Sequence, residues 1–182
     1  KIGTDFDDVV IDTLPSFVRF YNKKHRTNFK REDITSYFLW EIEISRSKEE
    51  VVKLFDEFYH SPEFDEMPLV DGAQEGVLEL VRLSNGQLPI VTSRPLLYQR
   101  KTSLSIERNF PGVPLPVHHS KDFHYGANHM KAEICQALKL EGYVEDCLRY
   151  AEDCAERGIR VFLLDKPWNQ NGELHPLITR VY

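Results

Sequence analysis

Two aspartates, Asp5 and Asp7, follow a short apolar run at the beginning of the chain. One residue separates them, so on an extended backbone both carboxylates point to the same side. Two carboxylates on one face repel each other unless a cation or a shared proton compensates their charge. A hard divalent metal with oxygen ligands is the natural compensator. The spacing therefore indicates a metal-dependent site at the start of the chain.

Three further polar clusters fall at predicted strand ends or helix starts. Thr92 and Ser93 end a short buried strand, Lys131 lies at the start of a predicted helix, and Glu145 and Asp146 follow a third predicted strand. Each cluster also has a purely structural interpretation, because hydroxyl and acidic residues cap helices and a lysine can be an ordinary surface residue. Their regular placement at element ends favours a functional role.

Strands alternating with helices predict an α/β fold with a parallel central sheet covered on both faces. A chain of 182 residues suits one domain with a modest insertion. Residues 1–12 and 86–182 are predicted to form the α/β core. Residues 13–85 are predicted to contain helices and no clear strand. This segment is far longer than a crossover between parallel strands needs. This segment is expected to be a helical cap over the carboxyl end of the sheet.

Composition excludes several classes of function. The chain has a net charge of −6 and a pI near 5.7, which argues against binding of a nucleic-acid polymer or an anionic membrane. No apolar run approaches the roughly 20 residues of a membrane helix. The three cysteines form no CxxC pair, and no signal-peptide pattern is visible, so a cytoplasmic location is expected. A homodimer is neither indicated nor excluded.

The four polar clusters, in their order along the chain, resemble the motifs of the haloacid dehalogenase-like (HAD) superfamily of phosphohydrolases. That superfamily has an Asp-x-Asp after the first strand, a Thr or Ser after the second, a Lys at a later helix start and acids after a further strand. The resemblance implies a Rossmann-like three-layer sandwich with a small helical cap inserted after the first strand. It also implies a Mg²⁺-dependent phosphomonoesterase that acts on a small phosphoester.

The resemblance assigns a role to each motif residue. Asp5 would be the nucleophile that forms an aspartyl-phosphate, and Asp7 the general acid and base. Thr92 and Lys131 would neutralise phosphoryl oxygens during transfer. Asp5, the main-chain carbonyl of Asp7 and Asp146 would hold Mg²⁺.

The acidic motif departs from the commonest pattern of the superfamily. Many members carry a second carboxylate three or four residues after the metal-binding aspartate, but Arg149 and Tyr150 stand there. The neighbouring Glu145 is therefore expected to support the metal ligand instead.

A finer resemblance is to the 5′(3′)-deoxyribonucleotidase branch, also called cytosolic type C 5′-nucleotidases. It is carried by residues 61–73, which resemble the return from cap to core in that branch, and by Val91-Thr92-Ser93-Arg94-Pro95. Asp8 departs from it, since the branch usually has Gly there. The resemblance implies a nucleoside 5′-monophosphate as substrate, with aromatic cap residues stacked on the base. The candidate substrate-binding residues are Tyr37, Phe38, Trp40, Ser93, Arg94 and Trp168.

Several alternatives stay open at this point. The cap aromatics could instead form the apolar core of the cap. The substrate could be a sugar phosphate, because the cap matches the branch poorly. A catalytically idle HAD-like binding module is a further alternative, supported only by the residues at positions 149 and 150. Four histidines before Lys131 suggest zinc, but their spacing fits no common zinc pattern.

Overall fold

A six-stranded parallel sheet forms the centre of the molecule. The computed structural model describes residues 1–42, 44–45, 47–120 and 130–182. The strands are β1 (Ile2–Thr4), β2 (Ile90–Thr92), β3 (Val117–His119), β4 (Gly142–Glu145), β5 (Arg160–Leu164) and β6 (Ile178–Val181). Their order is β3-β2-β1-β4-β5-β6, and all neighbours pair in parallel. The predicted α/β class is confirmed, and β1 lies between the strands that carry the other motifs.

Seven α-helices connect the strands of the described chain. They are α1 (Thr13–His25), α2 (Lys48–Phe58), α3 (Pro62–Asp65), α4 (Ala73–Leu83), α5 (Gln99–Asn109), α6 (Met130–Ala137) and α7 (Leu148–Glu156). Short 3₁₀ turns lie at Arg31–Asp33, Leu39–Glu41, Leu96–Tyr98 and Pro167–Asn169. Among the described residues, none of the helices combines the length and apolar character needed to span a bilayer.

Helices α6 and α7 cover one face of the sheet. The alternation along β5 shows why, because Val161 and Leu163 are buried whereas Arg160 and Phe162 are exposed. The buried cluster on this face contains Val91, Tyr143, Val161 and Leu163 from the strands and Ala132, Cys135, Ala151 and Cys154 from the helices. This packing fixes the position of β4 and of the residues that follow it.

The cap between β1 and β2 is built around aromatic side chains. Phe17 of α1 stacks on Phe55 of α2 with ring centroids 4.4 Å apart, and Phe58 meets Phe17 edge-on at 5.5 Å. Ser47 caps α2 by accepting a hydrogen bond from the Glu50 amide. The apolar faces of α1 and α2 therefore pack against each other within the cap.

The chain returns from the cap to the core near Leu69. Ile11 and Leu69 form an antiparallel bridge, flanked by hydrogen bonds from Asp12 N to Pro68 O (2.9 Å) and from Val70 N to Val10 O (3.0 Å). Helix α4 follows and shares a groove with residues of β1 and β4. The division at residue 85 stays a prediction, and these contacts favour an earlier boundary, with α4 in the core.

Candidate active site

The predicted motif residues meet at the carboxyl ends of three adjacent strands. Asp5 follows β1, Thr92 ends β2, and Glu145 ends β4. Because β2, β1 and β4 are neighbours in a parallel sheet, their carboxyl ends share one edge. Asp5, Thr92, Glu145 and Asp146 are all buried, at 1% exposure or less. The topology alone thus places three of the four motifs together.

Lys131 bridges two of the buried carboxyl groups. Its ammonium lies 2.9 Å from Oδ2 of Asp5 and 3.0 Å from Oε2 of Glu145, and the whole side chain is buried. Burial by itself would lower the pKa of Lys131, but the two carboxylates raise it well above its usual value. Lys131 is therefore a charged part of this cluster, not a solvated surface residue.

The carboxyl groups around Lys131 are crowded. Burial raises the pKa of Asp5 well above its ordinary range, and although Lys131 opposes this, nearby Glu145 and Asp7 add to it. Burial likewise raises the pKa of Glu145 to about 7, against the attraction of Lys131. Three buried carboxyl groups, those of Asp5, Glu145 and Asp146, lie near one ammonium here, so burial and their mutual repulsion together disfavour ionisation unless further positive charge is present.

These carboxylates fit a divalent cation. Asp5, Glu145 and Asp146 each offer one oxygen, and the three oxygens lie within 4.8 Å of one another. Oδ1 of Asp146 is buried and has no hydrogen-bond partner among the described residues. An unpartnered buried oxygen is costly unless an ion completes its environment. The crowded carboxyl groups and the all-oxygen donor set are those preferred by Mg²⁺ or Ca²⁺.

Glu145 also organises the start of the segment that follows β4. Its Oε1 accepts hydrogen bonds from the amides of Asp146 (3.2 Å) and Cys147 (3.1 Å), while its Oε2 contacts Lys131. The side chain thereby fixes the backbone that carries Asp146. This geometry suits the supporting role expected for Glu145.

Asp7 is held by an arginine on the next strand end. Arg94 contacts its carboxylate through Nε at 2.9 and 3.0 Å and Nη2 at 2.8 Å. Thr13 (2.6 Å) and Thr92 (3.1 Å) donate hydrogen bonds to the same group. Burial works against ionisation, yet the charge and hydrogen bonds of Arg94 outweigh it and lower the pKa of Asp7. Asp7 is a carboxylate in this arrangement.

The pairing of Arg94 with Asp7 was missed at the level of sequence. The sequence indicates Arg94 only as a candidate substrate-binding residue, whereas in the structure its guanidinium is buried between the rings of Phe6 and Phe64, at 4.7 and 4.9 Å. The two residues of the ion pair are 87 positions apart, and the signal that could have found them is the convergence of β1 and β2. A contact of Arg94 with substrate stays a prediction.

Asp8 has a structural function that the sequence did not reveal. Its backbone lies in the left-handed region with φ of 57°, a conformation that favours glycine. Both carboxylate oxygens accept a hydrogen bond from the Leu14 amide, at 2.9 and 3.1 Å. Asp8 therefore satisfies an amide in the first turn of α1, the helix that leads into the cap.

A small cavity opens beside Asp7. Its lining residues are Asp7, Asp8, Thr13, Leu14, Tyr37, Phe55, Tyr59, Ser93 and Arg94. Oγ of Ser93 is buried without a hydrogen-bond partner among the described residues, as a group that binds substrate would be. Of the predicted substrate-binding residues, Tyr37, Ser93 and Arg94 line this cavity.

The other predicted aromatic residues lie elsewhere. Phe38 is buried in a cluster with Cys147 and Tyr150, and Trp40 packs against Phe38 with ring centroids 5.0 Å apart. Trp168 donates a hydrogen bond from Nε1 to Oδ2 of Asp146 at 2.7 Å. Phe38 and Trp40 thus form apolar packing between the cap and Cys147 and Tyr150 of the core, and neither lines the cavity beside Asp7. Their part in substrate binding stays a prediction.

The structure also places Arg149, which stands where many superfamily members have an acid, and two of the four histidines that suggested zinc. Arg149 lies on the surface of α7, 3.5 Å from Glu41 of the cap, with its guanidinium 4.0 Å from the Phe38 ring. It contributes no carboxylate to the site, and Glu145 is the acid beside Asp146. His118 and His119 belong to β3, whereas His124 and His129 lie outside the described residues.

Comparison with known structures agrees with this fold. The chain aligns over its full length with Protein Tyrosine Kinase A of Mycobacterium tuberculosis, covering 92% of that chain, with a TM-score of 0.66 and 14% identity. It also aligns over 90% of its length with a haloacid dehalogenase-like protein of Agrobacterium tumefaciens, covering 81% of that chain, with a TM-score of 0.57 and 15% identity. At these identities the similarity establishes the HAD-like fold alone.

Comparison with known sequences identifies the family. The chain is 26% identical over 176 residues to the putative nucleotidase OB0422 of Oceanobacillus iheyensis, which covers 94% of this chain and 89% of that protein. The model of the family described as 5′ nucleotidase, deoxy (Pyrimidine), cytosolic type C protein matches residues 2–169. The match includes every motif residue of the site. The chain therefore belongs to this family of HAD-like phosphoric monoester hydrolases.

Proposed function

We propose that the protein is a Mg²⁺-dependent phosphomonoesterase that hydrolyses nucleoside 5′-monophosphates through an aspartyl-phosphate on Asp5. The observation that carries the proposal is the buried cluster of Asp5, Glu145 and Asp146 around Lys131. It combines a nucleophile, a fixed positive charge and a set of oxygen ligands at one point. Family membership supports a small phosphoester as substrate.

The proposal gives Asp5 and Asp7 the roles that the family resemblance implies, in two chemical steps. A carboxylate oxygen of Asp5 forms a bond to phosphorus, the ester P–O bond breaks, and its electron pair leaves with the substrate oxygen. Asp7 gives a proton to that oxygen. Asp7 then takes a proton from water as the water oxygen attacks phosphorus and the bond to Asp5 breaks. The products are an alcohol and inorganic phosphate, with Asp5 again a carboxylate and Asp7 again protonated.

Arg94 has opposite effects on the two roles of Asp7. By lowering the pKa of Asp7 it favours the carboxylate, which is the form that accepts a proton from water. The earlier step needs a protonated Asp7. Arg94 therefore opposes protonation of Asp7 for the first step and favours its uptake of a proton from water in the second.

The metal would be held by Asp5, Asp146 and the main-chain carbonyl of Asp7. Bound there, it would supply positive charge to the phosphoryl oxygens and so stabilise the charge that develops during transfer. Lys131, whose ammonium lies 2.9 Å from Oδ2 of Asp5, supplies a second positive charge. Thr92, at the end of β2, donates a hydrogen bond to Asp7, and its hydroxyl would also bind a phosphoryl oxygen.

The nucleotide part of the proposal is supported by the family and by the kinds of side chain beside Asp7. The cavity itself, at about 30 Å³, holds a nucleobase only if the cap moves away from the core. Three rings, those of Tyr37, Phe55 and Tyr59, line the space beside Asp7, and every nucleobase presents a π-face to such rings. Ser93 Oγ, which has no hydrogen-bond partner among the described residues, lies in the same wall, so a hydroxyl is available for the sugar or phosphate.

A substrate panel tests activity and substrate class together. Phosphate release is measured with ribo- and deoxyribonucleoside 5′-monophosphates and with hexose phosphates, each with Mg²⁺ and with EDTA. We expect nucleotides to be the best substrates, activity to vanish in EDTA, and Asp5→Asn to lower kcat by about 10³-fold or more. Asp71→Asn, a change of the same kind at an exposed residue, should leave activity unchanged.

Each outcome bears on a different part of the proposal. Full activity in Asp5→Asn would refute the aspartyl-phosphate mechanism. Hexose phosphates that rank above nucleotides would replace the substrate class and leave the mechanism intact. An absence of turnover together with no stabilisation by Mg²⁺ and beryllofluoride, which mimic the phosphoaspartate, would indicate an idle binding module.

A further inference from the structure

We propose that the turn after β5, formed by Pro167–Asn169, positions Asp146 for the metal and determines which of its carboxylate oxygens is available. This inference rests on the proposed function, because it assumes that Asp146 is a metal ligand. It assigns a role to two residues, Trp168 and Asn169, that lie about twenty positions after Asp146 and belong to none of the four motifs.

Trp168 engages one oxygen of Asp146 and leaves the other free. Its Nε1–H donates to Oδ2 at 2.7 Å, with Trp168 6% and Asp146 0% exposed. Oδ1 of the same carboxylate has no hydrogen-bond partner among the described residues. An indole N–H only donates, so this contact requires an acceptor oxygen and persists across the pH range in which Asp146 is ionised. The hydrogen bond therefore distinguishes two otherwise equivalent oxygens.

Asn169 holds the main chain of Asp146. Its Nδ2 donates to the Asp146 carbonyl oxygen at 2.7 Å and to the Leu164 carbonyl oxygen at 2.7 Å. Two consecutive residues of the turn thus hold both the side chain and the backbone of Asp146. Since Leu164 ends β5, the same amide ties the end of β5 to the residue that follows β4.

The turn itself is braced by the last strand. Arg180 of β6 donates from Nη1 to Oδ1 of Asn169 at 2.5 Å and from Nη2 to the Asn169 carbonyl oxygen at 2.8 Å. Asp165 receives a second bond from the same Nη1 at 3.0 Å. A support that is fixed at its far end can hold a ligand in place, whereas a mobile one would follow the ligand.

The physical need for such a support comes from the metal. Mg²⁺ demands near-octahedral geometry at short distances, so a carboxylate that rotates freely binds it poorly. Hydrogen bonds that orient metal ligands typically change metal affinity by about 10- to 100-fold when they are removed. Here Glu145 fixes the amide of Asp146, and Trp168 and Asn169 fix its carboxylate and carbonyl.

A purely packing role for Trp168 makes a different prediction. The indole is part of the main apolar cluster, with the guanidinium of Arg31 5.9 Å and the ammonium of Lys166 6.0 Å from its ring. Loss of packing would lower folding stability but would not change the affinity for Mg²⁺. Trp168→Phe separates the two roles, because it keeps an aromatic ring and removes the N–H.

The experiment compares Trp168→Phe with Trp40→Phe, which changes the only other tryptophan of the chain. The Mg²⁺ dissociation constant is measured calorimetrically on the full chain without substrate, beside the Mg²⁺ dependence of phosphate release. We expect Trp168→Phe to raise the dissociation constant by about 10- to 100-fold, with most of kcat regained at saturating Mg²⁺. The Mg²⁺ dissociation constant of Trp40→Phe should stay within about twofold of the wild-type value, because the Trp40 ring packs on Phe38 and makes no hydrogen bond to Asp146, which is bonded to Trp168.

A second measurement needs no folded variant. In the ¹⁵N spectrum of the wild-type protein, the indole N–H resonance of Trp168 should shift on Mg²⁺ addition with the calorimetric dissociation constant, and that of Trp40 should not. An unchanged dissociation constant in folded Trp168→Phe, or an indole resonance indifferent to Mg²⁺, would overturn the positioning role while leaving the proposed function in place. Absence of Mg²⁺ binding and phosphate release in the wild type would refute both.

Discussion

The strand ends of the core and the aromatic segment of the cap both contain predicted site residues. Those at the strand ends lie together in the structure, whereas those in the cap do not all reach the site. At the strand ends, Asp5, Thr92 and Asp146 are buried and meet at one edge of the sheet, where Lys131 from the start of α6 contacts Asp5. In the cap, three aromatic residues within four positions pack in one cluster, but they differ in whether they also reach the cavity. Tyr37 lines the cavity beside Asp7, whereas Phe38 and Trp40 pack against each other.

The difference lies in what fixes each position. A residue at the end of a parallel strand is placed by backbone hydrogen bonds, which constrain it whatever its side chain does. Residues 37–40 belong to a bend and a 3₁₀ turn without a repeating pattern, so the packing of each ring decides its direction. Sequence motifs are therefore reliable guides to a site where the backbone is regular and weak guides where side chains choose among neighbours.

The largest effect is expected at Lys131, whose ammonium lies between two buried carboxyl groups. Lys131→Met leaves Asp5 and Glu145 without their shared counter-charge. We expect a loss of about 3–5 kcal/mol in the free energy of unfolding and a fall of about 10²- to 10³-fold in kcat. Urea denaturation and phosphate release measure the two effects.

A double variant shows whether charge is the cause. Lys131→Met combined with Glu145→Gln removes one uncompensated carboxylate, so part of the lost stability should return while activity should not. Lys53→Met, at an exposed lysine of α2, is the matched control and should change little. If Lys131→Met were as stable as the wild type, the cluster would not be the ionic unit inferred from its geometry.

The limits of sequence reasoning within the core can also be traced to particular residues. Order and topology brought Asp5, Thr92 and Asp146 together, because parallel pairing decides where strand ends lie. The same reasoning missed the contact of Arg94 with Asp7, the hydrogen bond that Asp8 accepts from the Leu14 amide, and the hydrogen bond of Trp168 to Asp146. Each of these depends on a side-chain direction or on a left-handed backbone angle that no pattern in a single sequence specifies.

An intermediate effect is expected at Arg94, which is placed by a strand end but acts through its side chain. Arg94→Met keeps the apolar stem between Phe6 and Phe64 and removes the bonds to Asp7. We expect a loss of about 1.5–3 kcal/mol in the free energy of unfolding at pH 7, the range for hydrogen bonds to charged groups.

The pH dependence of this loss follows from the lowered pKa of Asp7. A carboxyl whose pKa is lower in the folded than in the unfolded protein stabilises the fold above its unfolded pKa of about 3.9, and the stabilisation disappears as the pH falls through the folded value. The difference between wild type and Arg94→Met should therefore be largest near neutral pH and should narrow as the solution is acidified. Urea denaturation at a series of pH values measures it, and a difference independent of pH would contradict the ion pair.

The smallest effects are expected in the cap, where they test the comparison directly. Tyr37→Leu removes a ring that lines the cavity, and a stacking contact is worth about 0.5–1.5 kcal/mol. This corresponds to a rise of roughly 2- to 12-fold in the KM for a nucleoside monophosphate, with kcat nearly unchanged. Trp40→Leu should instead lower stability by about 1 kcal/mol and leave KM within about twofold, because its ring packs on Phe38.

Steady-state kinetics with one nucleotide and one hexose phosphate distinguish stacking from packing at these two positions. A stacked base predicts that Tyr37→Leu weakens binding of the nucleotide only, since a hexose phosphate has no aromatic ring to stack. An equal rise in KM for both substrates would assign Tyr37 to the general shape of the cavity. A rise in KM from Trp40→Leu and none from Tyr37→Leu would mean that the cap repacks around the substrate. The strand ends and the cap would then differ in how rigidly they hold their side chains.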